Sequence, residues 1–209
     1  MISIEAYSVS DDVEKELKNV LEALLNEYNI IDMQHPLYTC IKELLINAIK
    51  ANFKNIYFED YSTQDPSKQL LSYEVAIKLF MLEMTREEAQ NLERLARKKD
   101  IKARISIWIK DDFLNFSIHN PVPMTEIEQK NVEKKIEIAN RLNDISEYFM
   151  EIENDPHKEG AGLGLVLITM MLKGLFNSNE SLNIKTDTHG TTASIRVPLN
   201  KQLPKELHS

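Results

Sequence analysis

The sequence predicts an α+β protein in which amphipathic helices are combined with two antiparallel hairpins. Two alternating stretches, Ala103–Ile109 and Phe113–Ile118, indicate the first hairpin. The second is indicated by Ser181–Lys185 and Thr192–Val197, which flank a polar turn. Most of the first hundred residues instead repeat their apolar positions every three or four residues, which is typical of helices.

The N-terminal part of the chain contains most of the predicted helices. A short strand is expected at Ile2–Tyr7, followed by a helix over Asp12–Tyr28. A second helix is expected over Pro36–Asn52 or a little further, and apolar residues cover most of its circumference, so it should be central. Two more helices are predicted over Pro66–Met84 and, from a capping-box pattern, over Thr85–Lys99.

Size and composition bound the class of protein. The 209 residues suit one domain, with residues 1–200 as a single unit and 201–209 as a frayed tail. The net charge of −8 argues against a nucleic-acid partner, because its phosphates would be repelled. The one cysteine, Cys40, excludes an internal disulfide and fits a reducing, cytoplasmic setting. Met1–Ser10 lacks the apolar core of a signal peptide, and no apolar run approaches the roughly 20 residues of a membrane span.

Glycines are concentrated in one short motif. The chain has five glycines, none before residue 160, and three of them are Gly160, Gly162 and Gly164. Alternate glycines let the backbone approach a ligand closely, and the apolar helical run that follows would present its N-terminal N–H groups to an anion. The motif therefore predicts a phosphate-binding cradle. A tight connection into a buried helix, with no ligand, would have the same sequence pattern. No Lys-Ser/Thr pair follows and no apolar strand precedes, which excludes a Walker loop and argues against a Rossmann turn.

A polar stripe lies on the otherwise apolar second helix. Glu43, Asn47 and Lys50 occupy positions i, i+4 and i+7, which share one face of a helix. One interpretation is an exposed polar edge with a weak local Glu–Asn contact. The other is a metal-and-phosphate stripe, in which Asn47 contacts Mg²⁺, Glu43 orients or deprotonates a nucleophile, and Lys50 contacts phosphate oxygens.

The order of these motifs resembles the Bergerat ATP-binding fold of the GHKL superfamily, which includes gyrase, histidine kinases and mismatch-repair ATPases. Glu43–Lys50 resembles the N box of the family, and Gly160–Leu165 resembles its second glycine box. Gly190 and Thr191 resemble the Gly-Thr pair of its late hairpin, so the resemblance covers about Leu37–Pro198. It implies a two-layer α/β sandwich that binds ATP together with Mg²⁺.

The resemblance also implies roles for individual residues. Asn47 would hold Mg²⁺, Lys50 would reach the phosphates, and Glu43 would be the catalytic general base. The second glycine box and a threonine beside the adenine pocket would complete the ATP-binding residues: Gly160, Gly162, Leu163, Gly164, Leu165 and Thr191.

The first glycine box of the family is altered in this chain. Where the family has Asp-x-Gly-x-Gly, the end of the first hairpin leads into Asn120-Pro-Val-Pro and both glycines are absent. Asn120 occupies the Asp position, and its amide oxygen can accept the same hydrogen bond from adenine without the charge. A plain turn residue before proline is the competing interpretation.

Two segments extend the family pattern. About fifty residues separate the N-box helix from the first hairpin, so a helical insertion is expected over about 60–100, either as a partner or homodimer surface or as a decoration at the domain edge. Residues 53–64 fit either more helix or a loop. The acidic segment at about 124–158 is mostly helical and is expected to form a mobile lid over the nucleotide.

The resemblance implies a free-standing protein kinase in bacterial signalling. Too few residues precede the N box for a phosphoacceptor histidine on a dimerising hairpin, so autophosphorylation within the chain is not expected. The layout resembles the anti-sigma-factor serine kinases, which implies a protein partner as substrate or regulator; a histidine-kinase-like domain acting in trans stays open. The alternative is a nucleotide- or partner-binding regulatory module whose catalysis has decayed, which the altered first glycine box favours.

Overall fold

The computed structural model describes residues 1–64, 73–153, 163–178 and 181–199, and their architecture is α+β. The predicted tail at 201–209 and two glycines of the predicted cradle, Gly160 and Gly162, lie outside these residues. The elements follow in this order: β1 Ile2–Ala6, α1 Asp11–Glu27, a 3₁₀ turn Ile31–Met33, α2 Gln34–Gln64, α3 Tyr73–Glu83, α4 Arg86–Lys99, β2 Ala103–Lys110, β3 Phe113–Asn120, α5 Glu126–Arg141, α6 Ile145–Glu153, α7 Leu163–Phe176, β4 Leu182–Asp187 and β5 Gly190–Pro198.

The five strands form one antiparallel sheet in the order β1-β2-β3-β5-β4. Side chains alternate between its two faces, as the strand period of two requires. One rung across the sheet is entirely apolar: Ile4, Ile105, Ile118, Ala193 and Ile184. The adjacent rung, which faces the other way, is polar: Ser3, Ser106, Ser117, Ser194 and Asn183. The sheet therefore buries one face and presents a hydrophilic one opposite, as antiparallel sheets commonly do.

The helical layer packs against the apolar face. Helix α2 lies over β2 and β3, α1 packs on α2 and β1, and α4 and α7 both pack on α2. The main core lies between these helices and the sheet, with Leu21, Leu45, Ile105 and Phe116 among its fully buried side chains.

Helix α2 is central, as predicted, and is longer than its pattern indicated. It has 31 residues and begins two residues before Pro36, whose missing N–H is tolerated in the first turn. The ambiguous stretch at 53–64 continues the helix, because Ile56 and Tyr57 are buried and contribute to the main core.

The predicted insertion joins the main core instead of packing only at an edge. Leu92 and Ala96 of α4 are buried, and Phe80 of α3 contacts the Tyr57 ring edge-on at 5.3 Å. The helix predicted at 66–84 is observed as α3 over Tyr73–Glu83, while residues 65–72 lie outside the described part.

The segment expected to be a mostly helical lid contains two helices with a break between α5 and α6. Leu142 is extended at the end of α5, and Asp144 accepts a hydrogen bond at 2.7 Å from the backbone N–H of Ser146. A side chain that caps the next helix competes with continuation of the previous one, which explains the break.

Candidate functional site

The predicted polar stripe of Glu43, Asn47 and Lys50 lies on helix α2. Asn47 and Lys50 are exposed and Glu43 is half-buried. Within the described residues, none of the three forms a hydrogen bond or an ion pair. Elsewhere on the same helix, at the same i, i+4 spacing, Asn55 donates to Glu59 at 2.8 Å. The expected local Glu–Asn contact is therefore not made in the stripe, although the helix geometry permits it.

The first turn of α7 lies directly against this stripe. A Cβ built on Gly164 would be 2.9 Å from the Oε2 atom of Glu43. Gly164 is the second residue of α7, so the backbone at the start of this helix is close to the Glu43 carboxylate. The absent side chain at Gly164 is what lets the helix end and the carboxylate approach each other.

The leucines of the predicted cradle contribute to packing. Leu165 is buried in the main core, and Leu163 packs against a second, smaller core. That second core is formed by Ala139, Leu142, Tyr148 and Val166. Because the Leu165 side chain is buried, any contact that Leu165 makes with a ligand would use its backbone.

A second cluster forms where β3 ends beside the start of β5. The register pairs Asn120 with Thr191, two residues predicted to be in the site. The backbone oxygen of Val122 accepts from the Nδ2 of Asn120 at 3.1 Å and from the Oγ1 of Thr191 at 2.9 Å. Asn120 is only 3% exposed, and its bond to the backbone oxygen two residues on also fits the interpretation of a turn residue before proline.

Gly190 allows these two strand ends to come together. Its φ of +138° is a conformation that residues with a side chain rarely adopt. A Cβ at this position would lie 2.1 Å from the backbone oxygen of Asn120. The glycine is therefore required by the close approach of β5 to the end of β3.

Thr186 and Val122 complete this cluster, and sequence reasoning missed both. The Oγ1 of Thr186 accepts from the backbone N–H of Met124 at 2.9 Å and donates to the backbone oxygen of Gly190 at 3.2 Å. A threonine opposite Thr191 in a hairpin could have been noticed from the sequence. The role of Val122 uses its backbone oxygen, which no side-chain pattern reveals.

Helix α5 is attached to both helices that carry the candidate site. At its N-terminus Thr125 and Glu128 form a capping box, and Glu128 also pairs with Lys54 of α2. At its C-terminus the Nζ of Lys173 from α7 donates to the backbone oxygens of Asn140 and Leu142 at 2.7 and 3.1 Å. The predicted lid thus has defined attachments to α2 and α7.

Two further findings bound the kinds of site. Among the residues that the structure describes, no group of three or more His, Cys, Asp or Glu side chains could hold a metal ion. Nor is any helix in this part of the chain both long and apolar enough to cross a membrane.

Cys40 is buried against α7, and this burial raises the pKa of its thiol to about 12.

Comparison with known proteins identifies one relative of unassigned activity. An uncharacterized protein of Treponema pallidum (strain Nichols) is 28% identical over 204 residues, which cover 97% of this chain and 38% of that protein. The chain therefore spans well under half the length of this relative. No family model matches the chain, and no solved structure matches it.

Proposed function

We propose that this chain is an ATP-binding module of the GHKL type, with a Bergerat two-layer sandwich, that acts as a cytoplasmic protein kinase in bacterial signalling. The observation that carries the proposal is the close approach of Gly164 to the Glu43 carboxylate. It brings the described glycine of the motif that resembles the second glycine box beside the segment that resembles the N box, although the two are far apart in the sequence. A helix N-terminus beside polar side chains that bond to no described residue is a suitable environment for phosphate groups.

The residues of the stripe fit a magnesium ion bound together with ATP. The Asn47 amide is exposed and bonded to no described residue, and amide oxygens are ligands that Mg²⁺ accepts. Because Mg²⁺ keeps several waters and phosphate oxygens, it does not need a cluster of protein carboxylates. When bound, Mg²⁺ would neutralise charge on the phosphate oxygens.

The chain's own groups would perform the remaining tasks. For a serine or threonine acceptor, the hydroxyl oxygen bonds to the γ-phosphorus, the bond from that phosphorus to ADP breaks, and the hydroxyl proton passes to Glu43. Lys50, exposed and within two turns of Glu43, would contact the phosphate oxygens. The N–H groups at the start of α7 would hold the same phosphates.

A protein partner belongs to this proposal, and α3 is where we expect it to bind. Val75, Met81 and Leu82 of α3 are 43%, 59% and 80% exposed. Exposed apolar side chains on one short helix are typical of a contact surface. The same surface would serve for a homodimer.

Calorimetric titration with ATP and Mg²⁺ tests the binding part of the proposal. We expect the wild-type protein to bind and Asn47→Ala to lose at least about 10-fold in affinity, because a ligand of the cation is removed. Asn55→Ala is the matched control, since Asn55 is the same residue type on the same helix and bonds only to Glu59 among described residues. Absence of binding by the wild-type protein would refute the proposal.

The second candidate function is a nucleotide-binding regulator without catalysis, which Asn120 and the missing glycines of the first box favour. Transfer of labelled γ-phosphate to candidate protein substrates separates the two functions. The kinase proposal expects Glu43→Gln to keep ATP binding and to lower transfer at least about 100-fold. Binding without transfer to any substrate would favour the regulator.

A further inference from the structure

The hydrophilic face of the sheet is a locally basic surface on an acidic protein. Helices α1 and α2 pack on the apolar face, so side chains of the opposite face stay exposed or half-exposed. To this opposite face β2 contributes Arg104, Trp108 and Lys110, and β5 contributes Arg196. No Asp or Glu occupies an outward position of β2, β3 or β5, although the whole chain has 33 acidic and 25 basic residues.

Arg196 presents hydrogen-bond donors that no described residue uses. Its guanidinium lies over the Phe113 ring, with Cζ 4.2 Å from the ring centroid. This stack occupies one plane of the group and leaves the N–H groups at its rim available. The Arg196 side chain is exposed, and within the described residues its guanidinium forms no hydrogen bond or ion pair. A carboxylate can bind such a group through two parallel hydrogen bonds.

Lys110 and Trp108 extend this basic surface across the sheet. In the strand register Lys110 lies opposite Phe113, while Trp108 and Arg196 lie on either side of Asn115. Lys110 is exposed and forms no ion pair with a described residue, and Trp108 is half-buried. Because one strand separates the two cations, they lie roughly 10 Å apart across the sheet.

The opposite end of the same face has its polar groups already paired. The guanidinium of Arg104 bonds to Glu5 of β1 at 2.8 Å. The Nδ1 of His119 is 3.0 Å from the Oγ1 of Thr192. On the three central strands, unpaired positive charge is therefore concentrated at the end that carries Lys110 and Arg196.

We propose that Trp108, Lys110 and Arg196 form a docking surface for an acidic segment of a partner protein. Lys110 and Arg196 bind two carboxylates of that segment, and the Trp108 ring packs against its apolar part. Tryptophan and arginine are among the residues that contribute most binding energy at protein interfaces. The surface is separate from α3 and from the nucleotide site proposed between α2 and α7, so it depends on neither.

Single-stranded nucleic acid also binds to sheets that carry aromatic and basic side chains. Two observations favour the acidic segment. Such sheets stack roughly two or three bases on aromatic rings, whereas Arg196 covers the Phe113 ring here and leaves Trp108 to stack. The net charge of −8 would also repel a long polyanion, while a few carboxylates interact mainly with the cations nearest to them.

Trp108 is the only tryptophan of the chain, so its fluorescence reports on this surface directly. The probes are leucine-containing peptides without aromatic residues, with two glutamates about 3 or about 7 positions apart, which span roughly 10 Å in an extended or helical segment. We expect at least one of them to cause a saturable shift of Trp108 emission to shorter wavelength. The same peptides with glutamine in place of glutamate should bind at least about 10-fold more weakly.

Three results of these titrations would overturn the proposal. The first is no response to any of the glutamate peptides, and the second is equal binding of the glutamine peptides. The third is tighter binding of a single-stranded oligouridylate than of the glutamate peptides, which would assign the surface to nucleic acid.

Charge-matched variants test whether binding occurs at this surface. Lys110→Glu and Lys98→Glu change the net charge equally, but Lys98 is exposed on α4, away from the sheet face. We expect Lys110→Glu to lower affinity for the glutamate peptide at least about 10-fold and Lys98→Glu to have little effect. Arg196→Ala should behave like Lys110→Glu, with Arg94→Ala, at an exposed position of α4, as its control. Equal losses in Lys110→Glu and Lys98→Glu would indicate a general charge effect and contradict the docking surface.

Discussion

At the scale of single residues, glycines decide how closely the elements of the candidate site approach each other. Gly164 and Gly190 each leave out a Cβ that would meet a neighbouring atom at 2.9 and 2.1 Å. The neighbours differ in kind. At Gly164 the neighbour is the end of a flexible glutamate side chain, whereas at Gly190 it is a backbone oxygen. The first substitution should therefore affect function, and the second should affect folding.

Gly164→Ala should lower phosphoryl transfer at least about 10-fold with little loss of stability, because the Glu43 carboxylate must turn away from the added methyl group. Transfer assays and urea unfolding measure the two effects separately. Gly174→Ala is the control on the same helix, since a Cβ there would meet nothing within 4 Å. It should stabilise the protein by about 0.5–1 kcal/mol with unchanged transfer. Full transfer activity in Gly164→Ala would contradict the assigned role of Glu43.

Gly190→Ala should destabilise the protein by about 3 kcal/mol or more, because the positive φ and the backbone oxygen of Asn120 leave no alternative position for the methyl group. The free energy of unfolding in urea measures this loss. A loss below about 1 kcal/mol would mean that the ends of β3 and β5 can separate at little cost.

At the scale of elements, α5 depends on contacts that reach across the helical layer. Lys54 pairs with Glu128 in its first turn, and Lys173 holds the carbonyls at its last turn. These lysines come from α2 and α7, the two helices that carry Glu43 and Gly164. Movement of α5 is therefore expected to be coupled to events at the candidate site.

Lys54→Met should speed hydrogen exchange in the first turns of α5, because the apolar stem remains while the contact to Glu128 is lost. Exchange measured by mass spectrometry checks this. Lys134→Met, at an exposed position of α5 itself, should leave the exchange of α5 unchanged.

ATP should alter the hydrogen exchange of α5 and α6 if these helices form the proposed lid. Equal protection with and without ATP would contradict the lid.

At the scale of the whole molecule, carboxylates stabilise contacts between distant parts of the chain. Hydrogen bonds from Lys102 and Arg104 lower the pKa of Glu5, which ties β1 to β2. A hydrogen bond from Tyr7, followed by one from Lys102, lowers the pKa of Asp100 at the end of α4. Carboxylates with lowered pKa values are stabilising when ionised, so the fold should weaken in acid.

The urea midpoint should stay constant near neutral pH and fall as the pH decreases below about 4.5, the ordinary pKa of a glutamate. The stabilisation is complete above the unfolded-state pKa values and is lost as the pH falls through the lower folded-state values. Glu5→Gln should lower the midpoint at pH 7 and reduce its acid dependence. Glu16→Gln, at an exposed position of α1, is the control and should have the same urea midpoint as wild type. If Glu5→Gln left the acid dependence of the midpoint unchanged, the stabilising role of Glu5 would be contradicted.

The sequence by itself determined the elements and their buried faces. Alternation revealed all four hairpin strands, and three- to four-residue spacing revealed α1, α2 and α4, because these periods follow from backbone geometry alone. It also identified Glu43, Asn47 and Lys50 as sharing one face, since helical spacing decides that without tertiary contacts. The length of α2 and the break after α5 were not determined in this way, because burial of Ile56 and the cap at Asp144 depend on the surrounding structure and on competing local hydrogen bonds.

Only the tertiary structure decided which distant residues meet. The pairing of β1 with β2, and the position of β5 between β3 and β4, depend on packing of whole strands, which alternation does not encode. The approach of Gly164 to Glu43 depends on how α7 packs on α2. The partner of Asn120 is a backbone oxygen, and every residue carries one, so no sequence pattern could single out Val122. Its position follows from the turn between β3 and α5, which Thr186 and Thr191 hold against the second hairpin.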